Sequence, residues 1–583
     1  MSAGNAGSWP RRAARSFWLG PFFRHGHACW ECLAQRLRLN RQIESYVERR
    51  SGAPRPLVTS MAHLPITLRF SADLVALEIA KWVADPALGN GGKITTLDLY
   101  TLESAQHHLI QRPQCSVCGD ARLQEKRLCR PPFAEGRRGI QPSTASAVMT
   151  PEQIVERFAH HISPITGTIS RVVSVTTGIP SLYCYVAAFG FGRASQNLTS
   201  LRHNLLSQAS GTGRTDAQAR AGAICEAIER FSGLHHGDEP ALRASYRQVT
   251  ADAIHPNACA LYSDRQFTER AAWNALGSPF AIVPEPLDEN VPIDWTGVWS
   301  VSQGRFKLLP STYLFYHYPQ TSPGGYCYAD SNGCAAGSSL EDAMLRGLME
   351  LVERDAVAIW WYNRLHAPAV DSASFGDPYF DWLVKLYASY NREVWVLDLT
   401  NDIGVPVFAA LSRRTDKPVE DILVAFGAHV DPREGILRAL CEMNHSLPAV
   451  LPIQADGSGE YGYPDKDQQH WWRTATVANQ PYLLPRPGAP RLTRSDYVSP
   501  PGATPVERCA ELIDRLESLG LEVLMIDQTR PDIGLPVVKM VVPGLRHFWA
   551  RFAPGRLYDV PVQMGWLAAP LAEEDLNPIP MFV

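Results

Sequence analysis

No stretch of this 583-residue sequence approaches the roughly 20 consecutive apolar residues that span a bilayer as a helix. An excess of one charge is missing too. Lys and Arg number 55 against 59 Asp and Glu, and the net charge of −4 offers no basic field for nucleic acid or anionic lipid, so neither is expected as a partner. Arg11 and Arg12 are followed by ARSFWLGPFFRHGH, which lacks the sustained apolar region and small-residue cleavage site of an export signal. The expected location is the cytoplasm. Cysteine is sparse: there are twelve, and Cys184, Cys225, Cys259, Cys327, Cys334, Cys441 and Cys509 stand alone among apolar or small residues. That pattern fits reduced core cysteines and excludes a disulfide scaffold. There is no fixed-period repeat, and no Ser-His-Asp or Cys-His arrangement that would supply a protein nucleophile.

Four cysteines are different. Cys29-Trp-Glu-Cys32 and Cys115-Ser-Val-Cys118 are two Cys-x-x-Cys knuckles, the spacing that lets both thiolates of a pair reach one tetrahedral Zn²⁺. The gap of roughly 80 residues between them exceeds that of a zinc ribbon, so a folded segment has to bring them together. Redox thiols and unrelated cysteines are the alternatives. Four thiolates leave no open coordination position, so the zinc would be structural.

The most informative feature is a pair of helix-like segments. TDAQARAGAICEAIERFSG carries Glu226 and Glu229 followed by Arg230, and SLEDAMLRGLMELVERDAVAIWWYN carries Glu350 and Glu353 followed by Arg354. Residues three apart project from one helix face, so each segment presents two carboxylates side by side. A single Glu-x-x-Glu-Arg is ordinarily a solvated face. Here both segments are apolar almost all round, which marks them as buried, and buried carboxylates need a cation. Facing each other they would make a four-carboxylate site suited to Mg²⁺ and nucleotide phosphate.

The length exceeds one ordinary core. Residues 1–118 form a first unit, with an amphipathic helix over CLAQRLRLNRQIESYVERR, a second over SADLVALEIAKWVAD, and strands at KITTLDLYTLES and HHLIQRP. Residues 119–148, rich in Arg, Pro, Gly and Ser, read as a linker. From residue 149 to 583, strand-like runs (RVVSVTT, LYCYVAAFG, VWVLDLT, VPVFAALS, DILVAFG, LEVLMID, PVVKMVV) alternate with helix-like ones, which predicts an α/β class. SGEYGYPDKDQQHWWR, polar and aromatic with many breakers, reads as a long surface excursion.

Ser210-Gly211-Thr212-Gly213, QARAGAICEAIERFSG, YADSNGCAAGSSLEDAMLRGLMELVERDA, FGAHVDPREGILRALCE and DQTRPDIGLPVVKMVVPGLRHFWARFAPGRLYDVP occur in that order. Together they resemble the YcaO family, specifically the azoline-forming cyclodehydratases of ribosomally made peptides, over nearly all of residues 150–583. The resemblance implies an α/β YcaO-type ATP-binding fold with mixed sheets and two carboxylate-bearing helices, preceded by a small α+β zinc domain. It implies Glu226, Glu229, Glu350 and Glu353 as Mg²⁺ and phosphate ligands, with Arg230 balancing their charge. Ser210, Gly211, Gly213, Arg214 and Asn332 would lie at the nucleotide, as would Arg438 and Glu442 on a later helix. Arg438 suits phosphate by forked hydrogen bonding; a helix-surface salt bridge with Glu434 or Glu442 is its alternative. This chain departs from many relatives at Gly222, Thr212 and His445. Asn577-Pro-Ile-Pro-Met-Phe-Val583 resembles the family's proline-alternating tail, so Pro578, Pro580 and Val583 are candidates for placing a terminal carboxylate or backbone group beside the reacting peptide. Removing the last five residues is expected to spare folding and cut turnover.

The first unit resembles the carboxyl-terminal part of the ThiF-like proteins that accompany these enzymes. It has neither a Gly-rich nucleotide loop nor about 80 preceding residues for a winged-helix peptide-binding module, so leader recognition is expected to fall to a separate ThiF-like protein. The resemblance implies that Cys, Ser or Thr in a precursor peptide attacks the preceding amide, that ATP phosphorylates the amide-derived oxygen, and that phosphate leaves. A later flavin dehydrogenase and a homodimer are implied by the family alone. A thioamide- or amidine-forming enzyme and a non-catalytic peptide-presenting scaffold are the rival readings.

Overall fold

The computed structural model describes residues 16–582 except 24–25, 53–63, 86–91, 133–147, 176–178, 180, 191–197, 199–200, 202–204, 206–207, 321–324, 455, 457, 464 and 499–503. Strands β1 (Ser16–Leu19), β2 (Lys93–Asp98) and β3 (Ser104–His108) pair antiparallel in the first unit. Its first amphipathic stretch is two helices rather than one, α1 (Trp30–Asn40) and α2 (Gln42–Ser51), broken at Arg41 with φ −121° and ψ 55°. The break follows from Asn40, whose side-chain amide donates to the carbonyls of Gly167 at 2.9 Å and Ile165 at 3.2 Å in the second unit. Helix α3 (Pro65–Ala84) starts earlier than its pattern suggests because Pro65 occupies the first turn, where a missing N–H costs nothing.

The segment expected as a linker begins docked. Helix α4 (Leu123–Leu128) lies within it, and Arg127 next to its end reaches the Asp527 carboxylate at 2.9 Å and the Thr529 carbonyl at 2.7 Å. Of the rest, 133–147 falls outside the described residues.

Strands β4 (Ile169–Ser174), β5 (Tyr183–Phe189) and β6 (Gln208–Gly213) form a three-stranded sheet, and helix α5 (Asp216–Ser232) packs on it. Ser210-Gly211-Thr212-Gly213 is therefore strand, not the turn its glycines suggest. A Cβ on Gly211 would collide with the backbone of Ala219 and Ala223, and one on Gly222 would lie 3.2 Å from the Gly211 Cα. The glycines thus serve the close approach of strand and helix, and the departure at Gly222 is part of it.

Strands β7 (Leu242–Ala244), β8 (Ile293–Ser300), β9 (Arg305–Pro310) and β10 (Cys334–Ala336) belong to a six-stranded sheet that two later strands complete. The β8–β9 hairpin escapes the sequence pattern because Thr296 and Ser300 interrupt its apolar alternation. Both are buried and bonded, Thr296 to the Ser311 hydroxyl at 2.7 Å and Ser300 to the Glu522 carboxylate at 2.6 Å. Helix α6 (Leu340–Asn363) is the spine of the largest core. After it β11 (Ala369–Val370), β12 (Arg392–Asp398), β13 (Val407–Arg414) and β14 (Leu423–Ala428) form a four-stranded sheet, with helix α7 (Pro432–Val450) laid on β13 and β14.

The expected surface excursion is instead anchored in this core. Helix α8 (Lys466–Thr474) buries Trp471 and Trp472, and the Trp471 indole N–H donates to the Ile422 carbonyl at 3.0 Å. Burying two indoles outweighs the polar composition around them. Strands β15 (Leu524–Asp527) and β16 (Val537–Val541) close the six-stranded sheet in the order β10-β16-β15-β8-β7, with β9 on β8. The class is α/β. Every named strand pair is antiparallel, and among the described residues parallel pairing is confined to isolated bridges such as Leu234 with Tyr316. No helix among the described residues is long and apolar enough to cross a membrane.

The first unit rests on the second through buried polar contacts. Arg36 of α1 pairs with Asp532, whose other oxygen accepts from the Gln114 amide at 2.7 Å, and the Arg36 guanidinium lies 5.3 Å from the Phe231 ring centroid.

Candidate active site and zinc centre

Helices α5 and α6 are each started by a side chain that accepts from the third backbone N–H beyond it, Thr215 from Gln218 and Ser339 from Asp342. Their glutamate faces turn toward one cavity of about 680 Å³ between β6, β10, β14 and α7. Six carboxylates line it (Glu226, Glu229, Glu350, Glu353, Glu434, Glu442) together with four guanidinium groups (Arg214, Arg346, Arg354, Arg438).

The acidic groups are held from behind. Glu226 accepts from the Ser210 N–H at 2.8 Å and from Arg230 at 3.0 Å, while Arg230 also donates to Glu229 at 2.8 Å. Burial, and behind it repulsion from Glu350 and Glu226, pushes the Glu229 carboxyl up to about 8 despite the opposing Arg230. Glu353 is raised to about 7 by burial, with Glu350 and Glu442 adding to it, and Glu442, open to the cavity, is raised to about 7 by desolvation against its walls and by Glu226. Burial also raises Glu350. These shifts describe a site short of positive charge.

The donor set fits a hard cation. Arg354 Nε lies 3.2 Å from Glu350 Oε1 but is not aligned as a hydrogen bond, and that oxygen is buried with no donor, as is Asn332 Oδ1. Oxygen-only ligands beside room for phosphate are what Mg²⁺ takes. The guanidinium groups differ among themselves. Arg214 is tied to Asp377 at 3.2 Å and Arg346 to Asp342 at 3.0 Å, whereas Arg438 makes only one bond, to the Ala428 carbonyl at 3.2 Å, and no ion pair within 4.0 Å among the described residues. Its side chain opens to the cavity, and desolvation by the cavity walls together with the neighbouring Arg346 lowers its pKa to about 10. The surface salt bridge with Glu434 or Glu442 is therefore absent, and Arg438 is free for an incoming anion.

Of the residues singled out from sequence, Gly213, Arg214, Glu226, Glu229, Glu350, Glu353, Arg438 and Glu442 meet at this cavity. Ser210, Gly211 and Arg230 stand behind it as supports for Glu226 and the helix contact. Asn332 is not among the lining residues; its carbonyl accepts from Lys539 at 3.2 Å. His445 is half-buried with Nδ1 3.0 Å from Cys184 Sγ. Sequence reasoning missed Arg346, Cys225, Cys334 and Phe548 at the cavity, and Lys539 beside it. Only Arg346 carried a local signal, one turn before Glu350 on the same helix face.

The tail is elsewhere. Asn577 donates to the Trp361 carbonyl at 3.2 Å and the Tyr482 hydroxyl at 3.1 Å, Ile579 accepts from the Trp361 indole at 2.7 Å, and Met581 and Phe582 are buried. Pro578 and Pro580 flank these contacts outside the cavity lining, and Val583 lies outside the described residues.

The four knuckle cysteines converge although 82 residues separate the pairs (33 to 114). Cys29 and Cys115 sulfurs are 3.7 Å apart, Cys32 and Cys118 3.6 Å, and Cys29 and Cys32 3.9 Å. Bonds of about 2.3 Å in a tetrahedron require sulfurs about 3.8 Å apart, so the geometry fits zinc. Gly119 completes the second knuckle, because a Cβ there would strike the Pro113 carbonyl. Since Arg36 lies one turn beyond Cys32, a Cys32→Ser protein is expected to lose its zinc by elemental analysis and to melt several degrees lower over the whole chain. Zinc retention or an unchanged melting temperature would contradict this.

Over residues 210–546 the sequence matches the family described as YcaO cyclodehydratase, ATP- and Mg²⁺-binding. The fold superposes with a TM-score of 0.90 on a heterocyclase in complex with substrate and cofactor, 42% identical, covering 98% of this chain and 77% of that one. On the heterocyclase TruD the TM-score is 0.77 at 39% identity, covering 97% and 74%. A YcaO protein of Methanopyrus kandleri bound with AMPPCP and Mg²⁺ shares the fold, with a TM-score of 0.50 at 20% identity over 70% of this chain and 94% of that one. By sequence, an uncharacterized protein of Methanothermobacter thermautotrophicus is 26% identical over 58% of this chain and 81% of its own length.

Proposed function

Because this chain belongs to the YcaO cyclodehydratase family, we propose that its glutamate-lined cavity drives azoline formation in a ribosomally made precursor peptide. The protein is an ATP-dependent peptide cyclodehydratase. The observation that carries the reading is the meeting of Glu226, Glu229, Glu350 and Glu353 with an unpaired Arg438 in one cavity that leaves Glu350 Oε1 without a donor.

In this reading Glu226, Glu229, Glu350 and Glu353 hold Mg²⁺, which neutralises phosphate charge when bound. Arg438, assisted by Arg346 and Arg214, grips phosphate oxygens by forked hydrogen bonds. Arg230 and Ser210 keep the Glu226 face in position, and Glu442 joins the acidic wall. The peptide supplies its own nucleophile. A Cys thiol, or a Ser or Thr hydroxyl, attacks the preceding amide carbon; the oxygen of the adduct takes the γ-phosphoryl group, and C–O cleavage releases phosphate. The nucleophile and the amide nitrogen each lose a proton, so ring, ADP and phosphate account for every atom. The chain's own contribution is positioning and charge.

The zinc unit, residues 1–118, serves in this reading as the docking surface for a separate ThiF-like leader-binding protein. Support comes from α3, apolar on nearly every face yet exposed at Ile66, Leu68, Phe70, Leu77, Ile79 and Val83, since a helix apolar all round is ordinarily covered. A homodimer and a later flavin dehydrogenase rest on family resemblance. A cytoplasmic location suits ATP as co-substrate and reduced zinc-binding thiolates.

Mass spectrometry of a precursor peptide encoded beside this gene, incubated with the chain, ATP, Mg²⁺ and the ThiF-like partner, tests the reaction. Losses of about 18 Da per ring with ADP released are expected. A gain of about 16 Da would replace azoline by thioamide formation, and unchanged peptide with untouched ATP would leave the scaffold reading.

A further inference from the structure

A second, smaller cavity of about 110 Å³ lies behind the first, lined among others by Tyr262, Tyr313, Tyr328, Trp549, Asp330 and Arg551. Arg551 is its unusual member. It is 9% exposed and stacked, with Cζ 4.1 Å from the Tyr262 ring centroid and 5.9 Å from that of Trp549. Of its five N–H donors, one is used, by Nη1 on the Ala550 carbonyl at 3.3 Å. No carboxylate lies within ion-pair distance of it among the described residues.

Asp330, the acid on the same wall, is already engaged. His547 Nε2 lies 3.2 Å from one of its oxygens, and the other accepts from the Asn332 N–H at 3.0 Å with Lys539 Nζ at 3.5 Å. Burial opposes its charge, but His547 and Lys539, with a smaller share from Arg551 beyond contact distance, more than offset that and hold its carboxyl far below the usual range. His547 is committed as well, since its Nδ1 accepts from the Trp549 N–H at 3.0 Å. The free charge in the pocket is therefore one cation. A buried guanidinium with no carboxylate in contact is costly, and a planar one stacked on a ring presents its edge for bidentate capture of a carboxylate. The aromatic and proline walls suit the short apolar stem of an acidic residue or a chain end.

The pocket shares a wall with the phosphate cavity. Phe548 lines the glutamate cavity with Arg354 Cζ 4.0 Å from its ring centroid, while its neighbours His547 and Trp549 line the smaller pocket. Lys539 bridges the same wall, donating to the Asp330 carbonyl at 2.8 Å and lying 3.8 Å from Cys334 Sγ, which faces the glutamate cavity. At about 3.5 Å per extended residue, a peptide held at Arg551 keeps its next few residues near that wall. Resting on the cyclodehydratase reading above, we propose that this pocket is a carboxylate subsite in which Arg551 anchors an acidic group of the peptide substrate close to the residue that cyclises.

The test uses the full-length chain with its ThiF-like partner, ATP and Mg²⁺. The fluorescently labelled precursor peptides keep the leader and carry one cysteine in the core, with Asp, Asn or Lys at each of the three positions on either side and free or amidated ends. Binding is read by anisotropy, and ring formation in the same samples by mass. At one position, or at the free chain end, the acid is expected to bind about tenfold tighter than its amide. Arg551→Gln should bring that ratio to about one while leaving ATP affinity and binding of the amide peptide within about twofold, and Arg551→Glu should favour Lys. Preference at an internal position identifies a side chain as the anchor; preference for the free end identifies the terminal carboxylate. Equal binding of acid and amide by the unaltered chain, or a ratio that survives Arg551→Gln, would overturn the subsite even if rings form. Discrimination without any ring would uphold the subsite and remove the cyclodehydratase reading instead.

Discussion

Glu350→Gln is expected to lower Mg²⁺-dependent ATP consumption by about 10²–10³-fold or more while raising the melting temperature of the nucleotide-free protein. The opposite signs have one cause. Glu350 shares a cavity with five other carboxylates, its Oε1 has no donor, and burial has already raised its pKa. Removing its charge relieves repulsion in the empty site and deletes a cation ligand in the filled one. Mg²⁺ and ATP should accordingly stabilise the unaltered chain and fail to stabilise the variant. The neighbours give the same result a pH dependence. Glu229 at about 8, and Glu353 and Glu442 at about 7, keep protons in the folded state that the unfolded chain releases near its ordinary carboxylate values. The folded state then binds more protons than the unfolded one, so these groups make stability fall as pH rises through that window. Cation binding expels those protons, so the stabilisation by Mg²⁺ and ATP should grow from pH 6 to pH 8, by up to about tenfold in affinity per pH unit for each proton released. Full ATP turnover in Glu350→Gln, or a lower melting temperature, would remove the four-carboxylate site.

How much of this was readable beforehand follows from how local each signal is. Two glutamates three apart on an apolar helix declare a buried carboxylate face without help from any other segment, and four of the six cavity acids belong to such pairs. The cysteine knuckles are equally local, and only their convergence over 82 intervening residues needed the fold. Where competing signals overlapped, the pattern misled. Glycines at 211 and 213 look like a turn but are there because β6 runs against α5, and the polar run before Trp471 hides two indoles that belong to the core. The set Asp330, Lys539, His547 and Arg551 falls within two of the quoted motifs, but nothing local marks it as a site, because Asp330 stands more than 200 residues before the other three and only the fold brings them together.

Phe582→Ala and Met581→Ala are each expected to destabilise the chain by about 2–5 kcal/mol, and removal of the last five residues to do worse. The expectation that such a truncation spares folding does not survive the structure. The tail is fastened to the far end of the second glutamate helix: Asn577 N–H donates to the Tyr362 carbonyl at 2.8 Å, Met581 N–H to the Tyr362 hydroxyl at 3.3 Å, and the Phe582 ring packs on Trp361 and Trp471 at centroid distances of 6.0 and 5.1 Å. Trp361 is eight residues past Glu353, about 12 Å along the helix. Next to it, Trp360 packs at 6.3 Å against Phe426, which lines the glutamate cavity, so loss of the tail loosens that wall as well. Truncation therefore cannot separate packing from chemistry, whereas lengthening the chain can. Two glycines added after Val583 leave Asn577 through Phe582 free to keep every contact but carry the terminal carboxylate away. With the role expected of Pro578, Pro580 and Val583, turnover should fall sharply at an unchanged melting temperature. Unchanged turnover in the extended chain would confine the tail to holding the Trp361 layer in place.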